Sequence, residues 1–260
     1  MPAYNAAPWI AEAVRSVLDQ SHTHLELVIV NDGSTDGTAT VLDGLTDPRI
    51  VRIDLPANKG VSNARNLALD RVRGDLVCFL DADDRMPPDG IAARIEVLDA
   101  DPGLSFVDGG VEHRDERLER VLRTWTPSFT GEPFERLLRF DPSCFFGNTW
   151  LIRREAIGAV RFDTTLTHVE DLHFYLRIAP GRRYGHTTRI VLHYRRSAGS
   201  SMSRLDALER SYRQVLGWMR EHPELVSHHQ WRRSFWLVRR MMCGAWWKAG
   251  RPFKALLALR

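Results

Sequence analysis

The amino-acid sequence predicts an α/β fold in which a mostly parallel sheet carries helices on both faces, followed by a helical C-terminal region. Three observations support this prediction. Apolar runs of strand length alternate with helix-like segments over roughly the first 110 residues, which is typical of βαβ units. Polar clusters follow the apolar runs. From residue 205 onward the pattern is helical and rich in tryptophan and arginine.

The first part of the chain supplies four predicted helices and three predicted strands. The helix at 8–20 has a proline near its first turn and apolar residues on one face. Turn-forming residues separate the elements at 31–37 (NDGSTDG) and 58–60 (NKG). The predicted helices are 8–20, 38–45, 61–71 and 87–100, and the predicted strands are 25–30, 49–53 and 76–80.

After Leu104 the alternation breaks, and short strands mix with short helices. The predicted strands in this part are 104–112, 118–125, 149–153 and 189–195. Because the pattern changes again near residue 204, we expect an α/β domain over 1–203 and a helical region over 204–260.

Composition excludes several classes of protein. The chain has 260 residues, 43% hydrophobic and 27% charged, which is an ordinary globular balance and not that of a disordered or collagenous chain. Three cysteines without a CxxC pair argue against a disulfide framework and a structural zinc site. Since no run of about 18 apolar residues is present, we expect no membrane-spanning helix and a cytoplasmic protein.

The net charge of +3 conceals an uneven distribution. Residues 204–260 contain 12 basic and 4 acidic residues, a net charge of +8, which leaves −5 for residues 1–203. An acidic body does not favour nucleic-acid binding, which needs positive charge along the binding face. The basic tail has two interpretations that stay open. It packs onto the α/β domain, or it lies peripherally on an anionic membrane surface at the inner face of the cell membrane.

Three polar clusters follow predicted strands or stand at the chain start: PAYN at 2–5, NDGS at 31–34 and DAD at 81–83. Each alone is also typical of a turn. In an open parallel sheet, ligands bind beyond the carboxyl ends of the strands, so the three clusters would converge on one crevice. The Asp-x-Asp carboxylates are hard oxygen ligands of the kind that Mg²⁺ or Mn²⁺ prefers, with water and substrate phosphates completing the shell.

Five motifs in order carry a family resemblance. PAYN (2–5), NDGSTDGT (31–38), NKGVSNARNLAL (58–69), FLDADD (79–84) and VEDLHFYLR (169–177) resemble family 2 glycosyltransferases of the GT-A fold. The resemblance covers the chain to about residue 203. It implies metal-dependent, inverting transfer of a sugar from a nucleotide-sugar donor to a hydroxyl group of a glycan or lipid-linked acceptor, in envelope or surface polysaccharide synthesis. A UDP-sugar is the expected donor, with GDP- and dTDP-sugars as alternatives, and Mn²⁺ or Mg²⁺ is the expected cofactor.

The resemblance also implies roles for single residues. Asp171 would be the catalytic base, although acids at a helix N-terminus are also stabilised by the helix dipole. Asp83 would be the direct metal ligand, supported by Asp81, and Asp84 either extends this cluster or caps the next segment. The nucleotide-binding residues would be Ala3, Tyr4, Asn5, Asp32, Arg65, Asp81 and Ala82. The acceptor or diphosphate side would include Asn148, Trp150, Glu170 and His193.

Alternatives stay open at several of these positions. For Trp150 the alternative of a core residue is favoured over sugar stacking, and His193 is equally interpretable as a packed strand residue. The Gly/Ser segment at 199–203 resembles a flexible loop over the diphosphate. The family's first strand before PAYN is absent, so we expect the natural protein to begin about 5–10 residues upstream of Met1. Two other functions are considered: a nucleotidyltransferase, whose usual Gly-rich, Arg-containing loop is replaced by PAYN, and a scaffold-like relative that binds nucleotide without turnover.

Overall fold

The computed structural model describes residues 1–145, 147–196 and 205–258. Its mixed α/β architecture with a helical C-terminal part agrees with the predicted fold class. In chain order the elements are β1 Pro2–Ala3, α1 Ile10–Leu18, β2 Leu27–Asn31, α2 Thr38–Asp43, β3 Ile50–Asp54, α3 Val61–Leu69, β4 Leu76–Val77, α4 Gly90–Ala100, β5 Leu104–Arg114, β6 Val121–Trp125, α5 Phe134–Leu138, β7 Leu151–Arg153, α6 Arg154–Ile157, α7 Glu170–Ile178, β8 Arg183–Arg195, α8 Leu205–Glu221, α9 His228–Lys248 and α10 Pro252–Ala258.

The described strands form two sheets. The first has the order β1-β2-β3 and is wholly parallel, and every residue of its central strand β2 is buried. The second has the order β4-β7-β5-β6, with antiparallel pairs, and β8 pairs in parallel with β5. β6 runs antiparallel to β5 because only a short turn joins them, whereas a parallel neighbour requires a longer crossover.

Strand lengths differ from the sequence-based prediction. β4 covers only two of the residues predicted at 76–80, and β8 begins well before the predicted 189–195. The extent of a strand depends on the neighbour with which it pairs, which local propensity does not contain. At the chain start, β1 pairs with β2, and the Met1 amino group donates a hydrogen bond to the Val28 carbonyl at 2.8 Å. The expectation about residues upstream of Met1 stays a prediction.

The largest hydrophobic core joins the C-terminal helices to the α/β part. Tyr212 and Met219 of α8 and Trp246 of α9 belong to the same buried cluster as Phe174 and Tyr175 of α7. The C-terminal helices therefore pack in the same core as α7, which agrees with the packing interpretation of the tail. The proposed boundary at 203/204 lies outside the described residues. Among the helices that the structure describes, none combines the length and apolar character needed to cross a bilayer.

Trp150 lies in this core. Its side chain is fully buried, its indole ring stacks on Tyr175 with centroids 4.1 Å apart, and its N–H donates to the Cys144 carbonyl at 3.1 Å. A fully buried ring cannot stack on a sugar, so the core alternative for Trp150 holds.

Replacement of Trp150 tests this assignment. Trp150→Ala is expected to lower the free energy of unfolding by about 3–5 kcal/mol, because a large aromatic side chain leaves a cavity behind. The measurement is urea unfolding followed by circular dichroism. Trp247→Ala is the matched control, since that side chain is 67% exposed and its loss should change stability by at most about 0.5 kcal/mol. Equal losses for both variants would contradict the assignment.

Candidate active site

Two turns at the carboxyl edge of the first sheet pack directly against each other. Gly33 has φ +66°, and a Cβ there would lie 2.4 Å from the Ala57 carbonyl carbon, so only glycine fits. The two carboxylate oxygens of Asp32 accept hydrogen bonds from the Lys59 and Gly60 N–H groups, each at 2.8 Å. Asp32, in the turn at 31–37, therefore fixes the turn at 58–60, a role that the sequence did not reveal. Base binding by Asp32 stays a prediction.

The PAYN segment meets the first of these turns. Ala3 pairs with Asn31 between β1 and β2. The Asn5 side-chain oxygen accepts a hydrogen bond from the Thr35 backbone N–H at 2.9 Å, and the Asn5 backbone N–H donates to Ser34 Oγ at 3.0 Å. Tyr4, with 49% of its surface exposed, faces solvent beside them. Two of the three predicted polar clusters thus meet at one edge of the sheet.

Arg65 joins the remaining motifs. Its Nη2 donates to Asp81 Oδ1 at 2.8 Å, and its Nη1 donates to Glu170 Oε1 at 2.7 Å. With the Asn148 amide oriented so that its oxygen faces the guanidinium, that oxygen accepts from Nη2 at 2.7 Å and from Nη1 at 3.0 Å. Arg65 of α3 therefore brings together three segments: the acidic loop after β4 (residues 81–85), the start of α7 and the segment at 147–150.

The Arg65 side chain is only 2% exposed. Burial by itself lowers the pKa of a guanidinium, but the charges of Asp81 and Glu170 outweigh it, so the pKa of Arg65 is raised. The guanidinium consequently stays charged and binds the carboxylates from within the protein. Direct approach of Arg65 to a nucleotide stays a prediction, and its observed contacts are with protein groups.

The acidic loop presents carboxylates in different environments. The Asp81 side chain is 41% exposed, and Ala82 beside it is buried. Burial, followed by the like charge of Asp81, raises the pKa of Asp83. Asp84 is buried, and its carboxylate accepts the Arg195 backbone N–H at 2.8 Å. Asp84 thus anchors the loop to β8, while Asp81 stays partly exposed beside its ion pair with Arg65.

The donor set of the acidic loop fits a divalent cation. In the described part of the chain, no three His, Cys, Asp or Glu residues are grouped as a complete metal site. Two carboxylates on one turn nevertheless suit Mg²⁺ or Mn²⁺ when water and substrate phosphates fill the other positions. Burial, followed by the like charge of Asp81, raises the pKa of Asp83, and a nearby cation would act against both effects.

Asp171 lies in the first turn of α7, directly after a strained residue. Val169 has φ +52°, a left-handed conformation that is costly for a β-branched side chain and fixes the direction in which α7 begins. Burial, followed by the charge of Glu170, raises the pKa of Asp171 to about 7, against the opposing effect of Arg65. Asp171 is also placed to benefit from the helix dipole, so the two interpretations of this acid are compatible.

His193 occupies a packed position on β8. Its Nδ1 faces the Arg85 guanidinium, 3.3 Å from Nε, and its Nε2 lies 3.5 Å from Glu112 Oε2. Burial, together with the nearby Arg114 charge, lowers the pKa of His193 to about 4. These contacts agree with the packed-strand alternative. The predicted Gly/Ser loop at 199–203 lies outside the described residues.

Some supporting residues were not predicted. Asn66 exchanges hydrogen bonds with the Phe162 backbone at 2.9 and 2.7 Å, and the Phe162 ring lies 5.4 Å from the Arg65 guanidinium carbon. Arg195 contacts the acidic loop from β8. No local signal marks these pairs, because their partners are about a hundred residues apart along the chain.

The fold is the GT-A fold of glycosyltransferases. The family model described as glycosyl transferase family 2 matches residues 1–161, more than half of the chain. The chain belongs to family 2 of the glycosyltransferases.

Three relatives illustrate the extent of the sequence similarity. The chain is 46% identical over 99 residues to the teichuronic acid biosynthesis glycosyltransferase TuaG of Bacillus subtilis, covering 37% of this chain and 39% of TuaG. It is 29% identical over 178 residues to a glycosyltransferase of Haemophilus influenzae, covering 68% of each. It is 39% identical over 106 residues to the succinoglycan biosynthesis protein ExoO of Rhizobium meliloti, covering 41% of this chain and 30% of ExoO.

Two solved structures share the fold. S. aureus TarS 1-349 in complex with UDP-GlcNAc superposes with a TM-score of 0.69 at 16% identity, covering 99% of this chain and 88% of TarS. The mannosyltransferase PcManGT of Pyrobaculum calidifontis, in complex with GDP-Man and Mn²⁺, gives a TM-score of 0.66 at 22% identity, covering 98% of this chain and 76% of PcManGT.

Substitution of Arg65 tests whether its ion pairs with Asp81 and Glu170 stabilise the protein. Arg65→Met is expected to lower the free energy of unfolding by about 3 kcal/mol, the lower end for a broken buried ion pair, because Asp81 retains solvent contact. Urea unfolding gives the value. Arg213→Met is the control, since Arg213 is 70% exposed in its pair with Glu209 and should contribute at most about 0.5 kcal/mol. If Arg65→Met loses no more stability than the control, the two ion pairs do not stabilise the protein as expected.

Proposed function

We propose that this chain transfers a sugar from a nucleotide-sugar donor to a hydroxyl group by a single, inverting displacement assisted by Mn²⁺ or Mg²⁺. The observation that carries the proposal is the Arg65 bridge between Asp81 and Glu170. A displacement needs a base and a charge-compensating group on different sides of the reacting carbon. The bridge supports such a division, since Asp171 comes from α7 and the acidic loop follows β4.

Asp171 is the proposed general base. Its carboxylate would take the proton from the acceptor hydroxyl as that oxygen attacks the anomeric carbon, a contribution of typically ~10²–10⁴-fold. A pKa raised toward neutrality makes it a stronger proton acceptor than an ordinary carboxylate while it remains ionised above that pH. Since one displacement occurs, the anomeric configuration inverts.

The donor would lie along the sheet edge formed by Ala3, Tyr4, Asn5 and Asp32. Asp83, with Asp81, would hold the divalent cation, which supplies charge compensation for the departing nucleoside diphosphate when bound. TarS has been solved with UDP and UDP-GlcNAc, which supports a UDP-sugar donor, and PcManGT with GDP-Man and Mn²⁺, which keeps a GDP-sugar as the alternative. A dTDP-sugar is the third candidate. Asn148 and Glu170 would lie on the acceptor or diphosphate side.

The relatives support a role in polysaccharide or glycoconjugate synthesis. TuaG and ExoO are named for teichuronic acid and succinoglycan biosynthesis, and the chondroitin synthase of Escherichia coli is 26% identical over 224 residues, covering 83% of this chain and 31% of the synthase. The chain spans less than half the length of these three. We accordingly propose a glycan or lipid-linked acceptor.

A nucleotide-release assay tests the proposal. The protein, with Mn²⁺ or Mg²⁺, is given UDP-, GDP- and dTDP-sugars, and we expect slow hydrolysis of one donor that is lost in Asp83→Ala. Asp171→Asn should lower transfer by about 10²–10⁴-fold while leaving nucleotide binding intact. Asp163→Asn, which alters a carboxylate that accepts from Thr165, is the control and should retain activity.

The pH profile checks the base separately. Because Asp171 must be ionised to act, activity is lost as pH falls through its raised pKa, so the acidic limb should lie near pH 7 and not near the value of an ordinary aspartate.

Other results would favour the alternative functions. If the protein binds nucleotide without release, with or without acceptor glycans, the scaffold-like alternative is favoured. Pyrophosphate formation from a sugar phosphate and a nucleoside triphosphate would indicate a nucleotidyltransferase.

We further propose that the C-terminal helices contact an anionic membrane surface. The large apolar side chains exposed on α9 and α10 are Trp236, Met241, Trp247, Phe253, Leu256 and Leu257. Exposed basic residues accompany them at Arg232, Arg233, Arg240, Lys248 and Arg251, and no acidic residue follows Glu224 in the sequence. Asp206 of α8 pairs with two basic residues of this surface, Arg251 and Lys254. Exposed aromatic and basic groups that outnumber the acids suit the headgroup region of anionic lipid.

Vesicle flotation tests the membrane contact. With vesicles of phosphatidylcholine and phosphatidylglycerol, the protein should float with the lipid at low salt and less so at high salt. Trp247→Ser combined with Phe253→Ser should weaken binding about tenfold or more, because burial of one such side chain is worth roughly 1.5–3 kcal/mol. Leu122→Ser, an exposed apolar residue on β6, is the control. Recovery of the unaltered protein only in the lipid-free fraction would contradict the proposal.

A further inference from the structure

The geometry points to Arg195 as a positioning residue for the acidic loop. We propose that its guanidinium fixes the backbone of Asp83 and thereby sets the affinity of the loop for a divalent cation. The inference rests on the proposed function insofar as Asp81 and Asp83 are taken as the cation ligands. Arg195 does not touch the cation or the substrate in this proposal, and it acts through the loop.

Arg195 holds the loop through two hydrogen bonds. Its Nε donates to the Asp83 carbonyl oxygen at 2.6 Å, and its backbone N–H donates to Asp84 Oδ1 at 2.8 Å. The Arg195 side chain is only 1% exposed, so these bonds form inside the protein and not in solvent. The bonds use the Asp83 carbonyl and the Asp84 carboxylate. Among the described residues, the Asp83 carboxylate accepts a hydrogen bond from its own backbone N–H and none from Arg195.

The other nitrogens of the guanidinium are anchored to two separate parts of the fold. Nη2 donates to Glu12 Oε2 of α1 at 2.6 Å, and Nη1 donates to the Glu116 carbonyl in the turn between β5 and β6. The guanidinium carbon lies 4.3 Å from the centre of the Trp9 ring, within the range of a cation–π contact. One planar group therefore ties the loop to α1 and to the β5–β6 turn. A lysine ammonium cannot reproduce these three fixed directions.

Arg85 forms a second attachment of the same loop. Its backbone exchanges two hydrogen bonds with His193 of β8, at 3.1 and 2.8 Å, and its Nη1 donates to Glu12 Oε1 at 3.3 Å. Glu12 thus binds Arg85 with one carboxylate oxygen and Arg195 with the other. The loop is held against β8 on both sides of Asp84, and Glu12 links the two attachments.

This arrangement matters for a cation because metal ligands must be held within about 0.5 Å of their working positions. Mg²⁺ in particular demands near-ideal octahedral geometry. Loss of an outer partner that orients a metal ligand typically costs about 10–100-fold in metal affinity or activity. The Asp83 carbonyl bond makes Arg195 such a partner.

Mn²⁺ binding provides the test. Free Mn²⁺ is measured by electron paramagnetic resonance while the protein is titrated with MnCl₂, alone and with UDP or GDP. Arg195→Lys and Arg195→Met are expected to weaken Mn²⁺ binding by about 10–100-fold. Arg153→Lys is the matched control, since that arginine also donates to backbone carbonyls, of Leu104 and Leu98, but on β7. Its Mn²⁺ affinity should equal that of the unaltered protein.

Two further measurements separate positioning from a general loss of structure. Glu12→Ala removes the shared anchor from a side chain that is 39% exposed, so it should fold normally and weaken Mn²⁺ binding in the same direction by a smaller factor. In the release assay, Arg195→Lys should raise the Mn²⁺ concentration needed for half-maximal rate while most of the rate returns at saturating Mn²⁺. A rate that stays low at saturating Mn²⁺ would contradict a role through the loop.

The outcomes distinguish this inference from the proposed function. If Arg195→Met and Glu12→Ala are both folded by circular dichroism and both bind Mn²⁺ with unchanged affinity, the positioning role is overturned. The proposed activity is not affected by that result. Absence of Mn²⁺ binding by the unaltered protein, with and without nucleotide, overturns the metal dependence and the inference with it.

Discussion

The ion pairs of the buried Arg65 guanidinium organise this site. Asp81 follows strand β4, whereas Glu170 begins helix α7, so no strand pairing connects the two segments that carry these carboxylates. A buried charge without partners would be strongly destabilising, so the fold must keep both carboxylates close to the arginine. The same requirement holds the first turn of α7 beside the acidic loop. The position of Asp171 thus follows from the pairing of its neighbour Glu170.

The aromatic core behind α7 gives this arrangement a rigid support. Phe174 stacks on Phe162 and Tyr175 stacks on Trp150, each with centroids 4.1 Å apart. The C-terminal helices cover the same core, and the Trp218 ring contacts His173 of α7 edge to face at 5.3 Å. The tail is therefore part of the structure that positions the candidate base, whatever else its exposed face binds.

β8 connects the acidic loop to the rest of the molecule. It pairs along β5 and then contacts the loop through His193 and Arg195. The loop is consequently held from two directions, by Arg65 at Asp81 and by Arg195 at Asp83 and Asp84. These two arginines come from α3 and β8, and each makes contacts that a shorter or non-planar cation could not make together.

The sequence by itself determined the local features: the alternation of strands and helices, the turns at 31–37 and 58–60, and the acidic pairs after β4 and at the start of α7. These follow from periodicity, turn chemistry and motif spacing within a few residues. Only the tertiary structure decided that Trp150 is buried in the core, that His193 packs against Arg85, and which carboxylates Arg65 and Arg195 bind. Burial and pairing of this kind depend on residues from different elements, in several cases about a hundred positions apart, and local sequence carries no record of which groups the fold brings together.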